Sequence, residues 1–356
     1  MSSSATIREF VGKDDLILVT GAAGFIGRAV VRNLVARGFR NLRCLVRSTA
    51  SAARVGAIDD SMDRQRVRII RGNLLSMQDC TGAVEAARIV FHLAAGRGEK
   101  SYSDAFLNSV VTTRNLLEAC RRNQNLRRFV NVSSFAVYDS AYRGACNILD
   151  ESCPIEPHPE SRGEAYCFAK TRQDQLVAEY RERFHLPCVT MRPGWVYGPG
   201  NLALPGRVGI GSFGLFLHLG GSNTIPLSYV ENCAEAIVLA GLVPDIDGEE
   251  FNVLDDDPPT SRQLLGLYKE HVGHFPSLYV PRSISYAICA LWERYSAWSK
   301  GQLPPVFNRR RWNALWRKHR YSNVKLKTKL GWRATVPTEV GLLKYFQACR
   351  AGDHYA

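Results

Sequence analysis

Tyr166 and Lys170 stand one helical turn apart in Tyr166-Cys167-Phe168-Ala169-Lys170, a spacing that sets a phenol and an ammonium on one helix face. A phenol with its ordinary pKa near ~10 is a poor base at neutral pH, and lowering it by about three units takes roughly 4 kcal/mol of selective phenolate stabilisation. A neighbouring cation supplies stabilisation of that kind. Upstream, Val132-Ser133-Ser134 ends an apolar run, so that the Ser134 hydroxyl emerges where open α/β sheets bind ligands. The chemistry expected of the three is proton transfer at a hydroxyl or carbonyl group held by Ser134.

A second pattern supplies what a proton acceptor alone lacks. The strand candidate Leu16–Thr20 runs into Gly21-Ala22-Ala23-Gly24-Phe25-Ile26-Gly27 and then into a helix, so the glycines fall where a chain must turn tightly beneath a pyrophosphate. Helix amides then face the phosphates. About 20 positions further on, an acid would read the ribose hydroxyls of NAD, and an arginine would tolerate the extra phosphate of NADP. Arg47 stands there with Arg54 close by, which favours NADP over NAD; a plain surface arginine is the rival reading. In oxidation Tyr166 would take the hydroxyl proton as hydride leaves for the cofactor. Ser134 would hold the substrate oxygen, and Lys170 would also hold the ribose.

These residues need elements to carry them. From Asp15 to Pro193 short β-branched runs alternate with longer amphipathic stretches, the pattern of a parallel sheet wrapped by helices. The strand candidates are Leu16–Thr20, Leu42–Val46, Val67–Arg71, Ile89–His92, Phe129–Ser133 and Val189–Arg192; Gly27–Arg37, Ser109–Arg122 and Ala165–Phe184 are the main helix candidates. The expected fold is α/β, a doubly wound (Rossmann) parallel sheet with a smaller, mainly helical, interleaved C-terminal part. Residues 1–193 are read as the dinucleotide-binding domain, with 232–255 returning to it through a helix at Asn232–Leu242 and a strand at Phe251–Leu254. Residues 194–231 and 256–356 are read as the substrate-binding part, with helices at Leu264–Val272, Ser283–Ser299 and Val340–Ala348.

The ordered motifs TGAAGFIG at 20–27, HLAAG at 92–96, Asn108 ahead of VVTTRNLLEAC, VSS at 132–134, YCFAK at 166–170, RPGWVYGPG at 192–200 and LGW at 330–332 resemble the extended short-chain dehydrogenases/reductases, the NAD-dependent epimerase/dehydratase family. The resemblance implies cofactor contacts at Gly21, Gly24, Phe25, Ile26, Gly27, Asn73, Leu74, Ala94, Ala95 and Lys170, with Pro193 and Gly194 over the nicotinamide. It implies Ser134, Tyr166 and Lys170 as catalytic. Asn73 replaces the family's usual aspartate beside the adenine.

Departures narrow the substrate. Phe135 and Ala136 follow Ser134 where the family's dehydratases and decarboxylases carry acids, and Gly194 and Ile225 occupy places where sugar-nucleotide epimerases commonly have Asn and Arg. Tyr229-Val-Glu-Asn232-Cys-Ala-Glu-Ala is similar to the 3β-hydroxysteroid and sterol dehydrogenase branch. The expected activity is therefore interconversion of a secondary alcohol and a ketone on a bulky, lipidic substrate. A nucleotide-sugar epimerase with retained NAD is the alternative within the fold, and a non-catalytic dinucleotide sensor or membrane-associated scaffold the alternative outside it.

Composition bounds the rest. The 356 residues suffice for a large core. Ten scattered cysteines without a CxxC pair point to a reduced, cytoplasmic protein, and no spacing suggests a metal site. Of the formal charge of +13, residues 277–356 hold 15 Lys and Arg against 3 Asp and Glu. Their dense run through Arg309, Arg310, Arg311, Arg317, Lys318 and Arg320, interleaved with Trp312 and Trp316, suits peripheral contact with an anionic membrane surface or is a solvated basic face; nucleic acid is not expected. The apolar segment Ser283–Trp292 ahead of this tail would fit a protein that touches a membrane to reach a lipidic substrate, but the preferred reading takes Ile284, Ile288 and Leu291 as the buried face of a helix. His92, ending a buried strand, is read as a core histidine, and a homodimer is expected only by the family resemblance.

Overall fold

The computed structural model describes residues 10–58, 66–96, 101–142, 148–212, 214–299, 302–303 and 307–352. The strands are β1 (Ile17–Thr20), β2 (Leu42–Val46), β3 (Val67–Arg71), β4 (Ile89–His92), β5 (Arg128–Val132), β6 (Ile148–Leu149), β7 (Cys188–Pro193), β8 (Trp195–Tyr197), β9 (Gly209–Ser212), β10 (Leu215–His218), β11 (Leu227–Tyr229), β12 (Glu250–Val253), β13 (Ser277–Tyr279) and β14 (Arg320–Tyr321). The helices are α1 (Phe25–Ala36), α2 (Thr49–Gly56), α3 (Met77–Val84), α4 (Tyr102–Phe106), α5 (Thr112–Arg122), α6 (Ala165–Phe184), α7 (Val230–Leu242), α8 (Ser261–His271), α9 (Arg282–Trp298), α10 (Arg309–Trp316), α11 (Val324–Leu330) and α12 (Thr338–Ala351).

Seven strands form one parallel sheet in the order β12-β7-β5-β4-β1-β2-β3. The chain runs outward from β1 through β2 to β3, then returns to the other side at β4, so the direction of winding reverses beside β1. That switch point is where a doubly wound sheet leaves a crevice for a ligand. The central strands are apolar on both faces, as helices on both sides demand. Ile17 and Val19 of β1 pack with Val30 and Leu34 of α1 and Ile237 of α7. Leu18 between them points the other way, to a core shared with Leu116 and Leu117 of α5 and Leu176 of α6. Each such fully buried side chain contributes roughly 1.5–3 kcal/mol.

The sheet and the helices follow the expected pattern with shifts of at most three residues at their ends. Ser109 lies in a π-helical turn, Leu107–Val111, ahead of α5. Beyond β7 the glycine-rich stretch folds as an antiparallel pair, β9 with β10, to which β13 adds in parallel.

Two expectations about the C-terminal section are corrected. Ile284, Ile288 and Leu291 are not buried: α9 turns the small residues Ser285, Cys289 and Ser296 inward and leaves the large apolar ones outside. The first stretch of the dense basic run, Arg309 to Arg311, is not a free basic face either. It forms α10, capped by Asn308 and anchored by the buried indoles of Trp312 and Trp316, and its three arginines pair with Glu293, Glu156 and Glu164. No helix is long and apolar enough to cross a membrane among the described residues.

Candidate active site

The turn after β1 is built on contacts that only glycine permits. Gly21 has φ +71°, and a Cβ there would come within 2.7 Å of the Ala94 amide nitrogen. A Cβ at Gly27 would lie 2.1 Å from the Gly21 carbonyl oxygen, so the first turn of α1 rests directly on the loop. Gly24 occupies the N-cap in an extended conformation, no side chain caps the helix, and its first turn contains no acid. The opening amides are left for an anion, and the positive end of the helix dipole favours one.

In front of this turn lies a cleft of about 480 Å³ between β1, β2 and β4. Gly21, Gly24 and Phe25 form its floor; Asn73, Leu74, Ala94 and Ala95 line it, as does Arg47. Of the remaining expected cofactor residues, Ile26 packs toward the core and Gly27 is enclosed against the loop. The glycine cradle, uncapped helix and cleft fit a dinucleotide.

Arg47 leaves the end of β2 and donates from Nη1 to Asn108 Oδ1 at 2.9 Å, while Asn108 Nδ2 donates to Asp104. Arg54 and Ser51, both on α2, line the same cleft. The Asn73 amide N–H donates to Asp79 Oδ2 at 2.7 Å, and its side-chain oxygen accepts from the Leu75 N–H, which fixes the loop after β3.

Ser134, Tyr166 and Lys170 gather at the carboxyl end of β5, outside the lining of that cleft. β5 leaves the sheet through a 3-10 turn, Phe135–Val137, whose N-cap is Ser134, with Oγ accepting from the Ala136 N–H at 3.2 Å. The Ala136 carbonyl accepts from Arg162 Nη1 at 2.6 Å and from Cys167 Sγ at 3.1 Å, which ties this turn to the start of α6. Tyr166 thereby starts α6 beside the turn that carries Ser134, whose hydroxyl acts on the phenol. Tyr166 is 36 % exposed, so a substrate can reach its ring.

Lys170 points inward. Its Nζ donates to the Val132 carbonyl at 2.7 Å and to Gln173 Oε1 at 3.0 Å. Burial lowers its pKa to about 8, with Asp174 pulling the other way. The expected depression of the Tyr166 phenol is absent here: desolvation raises its pKa, partly offset by the Ser134 hydroxyl. The lysine charge is spent on a carbonyl and an amide rather than on the phenol.

Sequence reasoning passed over the buried polar layer beneath the three residues. Gln173 Nε2 donates to Thr113 Oγ1 at 3.1 Å and to Asn131 Oδ1 at 3.2 Å. Asn131 Nδ2 donates to Asp174 Oδ1, whose other oxygen accepts from Arg192 Nε at 3.1 Å. Gln173 and Asp174 sit three and four positions after Lys170, on its helix face, and that spacing was the available signal. His92 Nδ1 and Nε2 each lie 2.8 Å from a threonine hydroxyl, of Thr20 and Thr113. Complete burial, with Lys170 nearby, lowers its pKa to about 3, so it is a neutral core residue.

Pro193 is buried at the end of β7, and Gly194 is held where a Cβ would come within 2.2 Å of the Pro226 carbonyl oxygen. Among the described residues the nine cysteines are free, and no three metal-ligating side chains cluster.

Known proteins resemble this chain. The chain is 25% identical over 91% of its length to a 3beta-hydroxysteroid-dehydrogenase/decarboxylase of Arabidopsis thaliana, 77% of which is covered. It is 28% identical over 92% of its length to a 2-alkyl-3-oxoalkanoate reductase of Stenotrophomonas maltophilia, 97% of which is covered. Among solved structures, UDP-glucuronic acid 4-epimerase from Bacillus cereus, in complex with UDP-glucuronic acid and NAD, superposes with a TM-score of 0.70 at 20% identity, covering 94% of this chain and 99% of that one. The likeness to that structure is one of fold. The pattern of the NAD dependent epimerase/dehydratase family matches residues 17–253, about two thirds of the chain, and the chain belongs to that family of enzymes, the extended short-chain dehydrogenases/reductases.

Proposed function

We propose that this enzyme interconverts a secondary alcohol and a ketone on a bulky substrate, consuming a dissociable nicotinamide dinucleotide, with NADP preferred. The placement of Tyr166 at the start of α6, tied through Cys167 to the turn that carries Ser134 and one turn before the buried Lys170, is the observation that carries this reading. The bound nicotinamide supplies hydride acceptance or donation. In oxidation Tyr166 takes the substrate's hydroxyl proton while Ser134 holds the oxygen; in reduction Tyr166 returns that proton to the forming alcohol. The ammonium of Lys170, one turn further along α6, would favour the phenolate if cofactor binding drew it from the Val132 carbonyl and Gln173 toward the phenol.

Arg47 and Arg54 on one wall of the cleft support NADP, since guanidinium groups pair with a ribose phosphate. The substrate class is supported by the two relatives, named as a hydroxysteroid dehydrogenase/decarboxylase and an oxoalkanoate reductase. It is also supported at Gly194: an Asn there, as in sugar-nucleotide epimerases, would collide with the Pro226 carbonyl.

The test is a fluorescence titration of purified protein with NADPH and NADH, preceded by denaturation and absorbance to detect any dinucleotide carried through purification. An empty protein that prefers NADPH, and whose Tyr166→Phe variant binds NADPH but does not turn over a ketone, supports the proposal. Tightly retained NAD with no net consumption of added cofactor overturns it in favour of an epimerase.

A further inference from the structure

Helix α9 is built inside out for a helix facing water. Ile284, Ile288, Leu291, Tyr295 and Trp298 recur at helical spacing along one face and are 51, 54, 66, 50 and 76 % exposed. The opposite face is fixed to the protein: Ser285 Oγ accepts from the buried Trp312 Nε1 at 3.0 Å, and Cys289 packs beside the same indole. The helix therefore cannot hide its apolar stripe by rolling without breaking that anchor. Tyr295 and Trp298 stack with ring centroids 5.7 Å apart near its end, the type of ring that settles at the level of lipid headgroups. Just ahead of α9, Leu278 and Tyr279 of β13 are exposed as well.

We infer that the exposed face of α9 lies in the surface of a bilayer containing anionic lipid, with the helix axis parallel to the membrane plane. A contiguous apolar stripe of this size marks an interaction surface, and a helix with one apolar and one anchored face beds into the headgroup boundary without spanning it. Charge selects the bilayer over an apolar protein partner. Residues 277–356 carry 15 Lys and Arg against 3 Asp and Glu, with Arg294 exposed on α9, while Arg282 lies over Trp312 on the anchored side. The Arg309–Arg311 run is not the contact, because all three guanidinium groups are paired with carboxylates. The apolar stripe makes the contact, and the positive field of the section draws it to anionic lipid. This inference is independent of the substrate and of turnover.

The test is flotation of the full-length protein with vesicles of phosphatidylcholine containing about 30 % phosphatidylglycerol, beside vesicles of phosphatidylcholine alone. The protein is expected to float with the anionic vesicles, less with the neutral ones, and less again at high salt. The double variant Leu291→Glu, Trp298→Ser is expected to lower the bound fraction about tenfold while dinucleotide binding, measured in parallel, stays unchanged. An Arg310→Gln variant is expected to float like the parent. No flotation of the parent, or equal flotation of the double variant, overturns the inference. So does a parent that is dimeric by light scattering and becomes monomeric in the double variant, since a second copy then covers the stripe.

Discussion

Lys170 Nζ donates to the side-chain oxygen of Gln173 at 3.0 Å, and both groups are buried. The carboxamide's other end donates to Thr113 and Asn131, so the amide cannot turn over without placing two N–H donors against the ammonium. The lysine is held by a residue whose orientation is set from two other elements, α5 and β5.

Replacing Gln173 by Leu removes one acceptor from Lys170 and one donor each from Thr113 and Asn131. The expected loss is about 1–3 kcal/mol of stability, read as a lower denaturant midpoint, with a fall in kcat that exceeds any change in KM. Gln173→Glu keeps an acceptor for the ammonium and is expected to recover more activity than Leu. Equal kcat for the parent and Gln173→Leu would show that this contact does not position Lys170.

Lys170 also makes a pH prediction with a definite sign. Its pKa is lowered in the folded protein to about 8 from an unfolded 10.5. Below about 8 both states carry the proton, and the cost of the buried ammonium is present in full. Between those two values the unfolded chain holds more protons, so this group makes stability rise with pH across that window. Activity is expected to move oppositely, falling above about pH 8 as the cation is lost. Urea unfolding at neutral pH and near pH 10 should show a smaller rise in Lys170→Met than in the parent, the difference between the two proteins isolating this residue.

Much of this was legible in the chain, and the failures share a cause. β1 and the glycines declared themselves because close packing there demands specific residues, and α6 because its periodicity is long. The orientation of α9 was not legible: a stripe of Ile284, Ile288 and Leu291 has the same period whether it faces a core or the outside. The pairing of Arg309, Arg310 and Arg311 was hidden as well, since two of the partners, Glu156 and Glu164, lie roughly 150 residues earlier in the chain. The burial of Gln173 and Asp174 depends on Asn131 and Arg192, which only the folded sheet brings against them.

Gly27→Ala tests the cradle. Its Cβ would sit 2.1 Å from the Gly21 carbonyl oxygen, a backbone atom that cannot swing aside, so α1 must lift from the loop. Loss of dinucleotide binding by at least about tenfold is expected, along with destabilisation of more than about 2 kcal/mol. Gly56→Ala, with open space around its Cβ, serves as the control and should bind as the parent does.

Arg47 decides the cofactor question most directly. Its Nη1 is tethered to Asn108, which holds the guanidinium at the cleft wall beside Arg54 and Ser51. If it pairs with a ribose phosphate, Arg47→Ser should weaken NADPH by about 1.5–3 kcal/mol, or roughly ten- to a hundredfold in Kd, while leaving NADH nearly unchanged. If Arg47 serves only as a strut for Asn108 and Asp104, both dinucleotides should weaken together. Asn108→Ala separates the two roles: it cuts the tether without removing the charge, so a phosphate contact predicts a smaller loss of NADPH than Arg47→Ser causes. Titration of the three proteins with both cofactors at two salt concentrations completes the case, because only a charge-mediated contact loses its preference as salt rises.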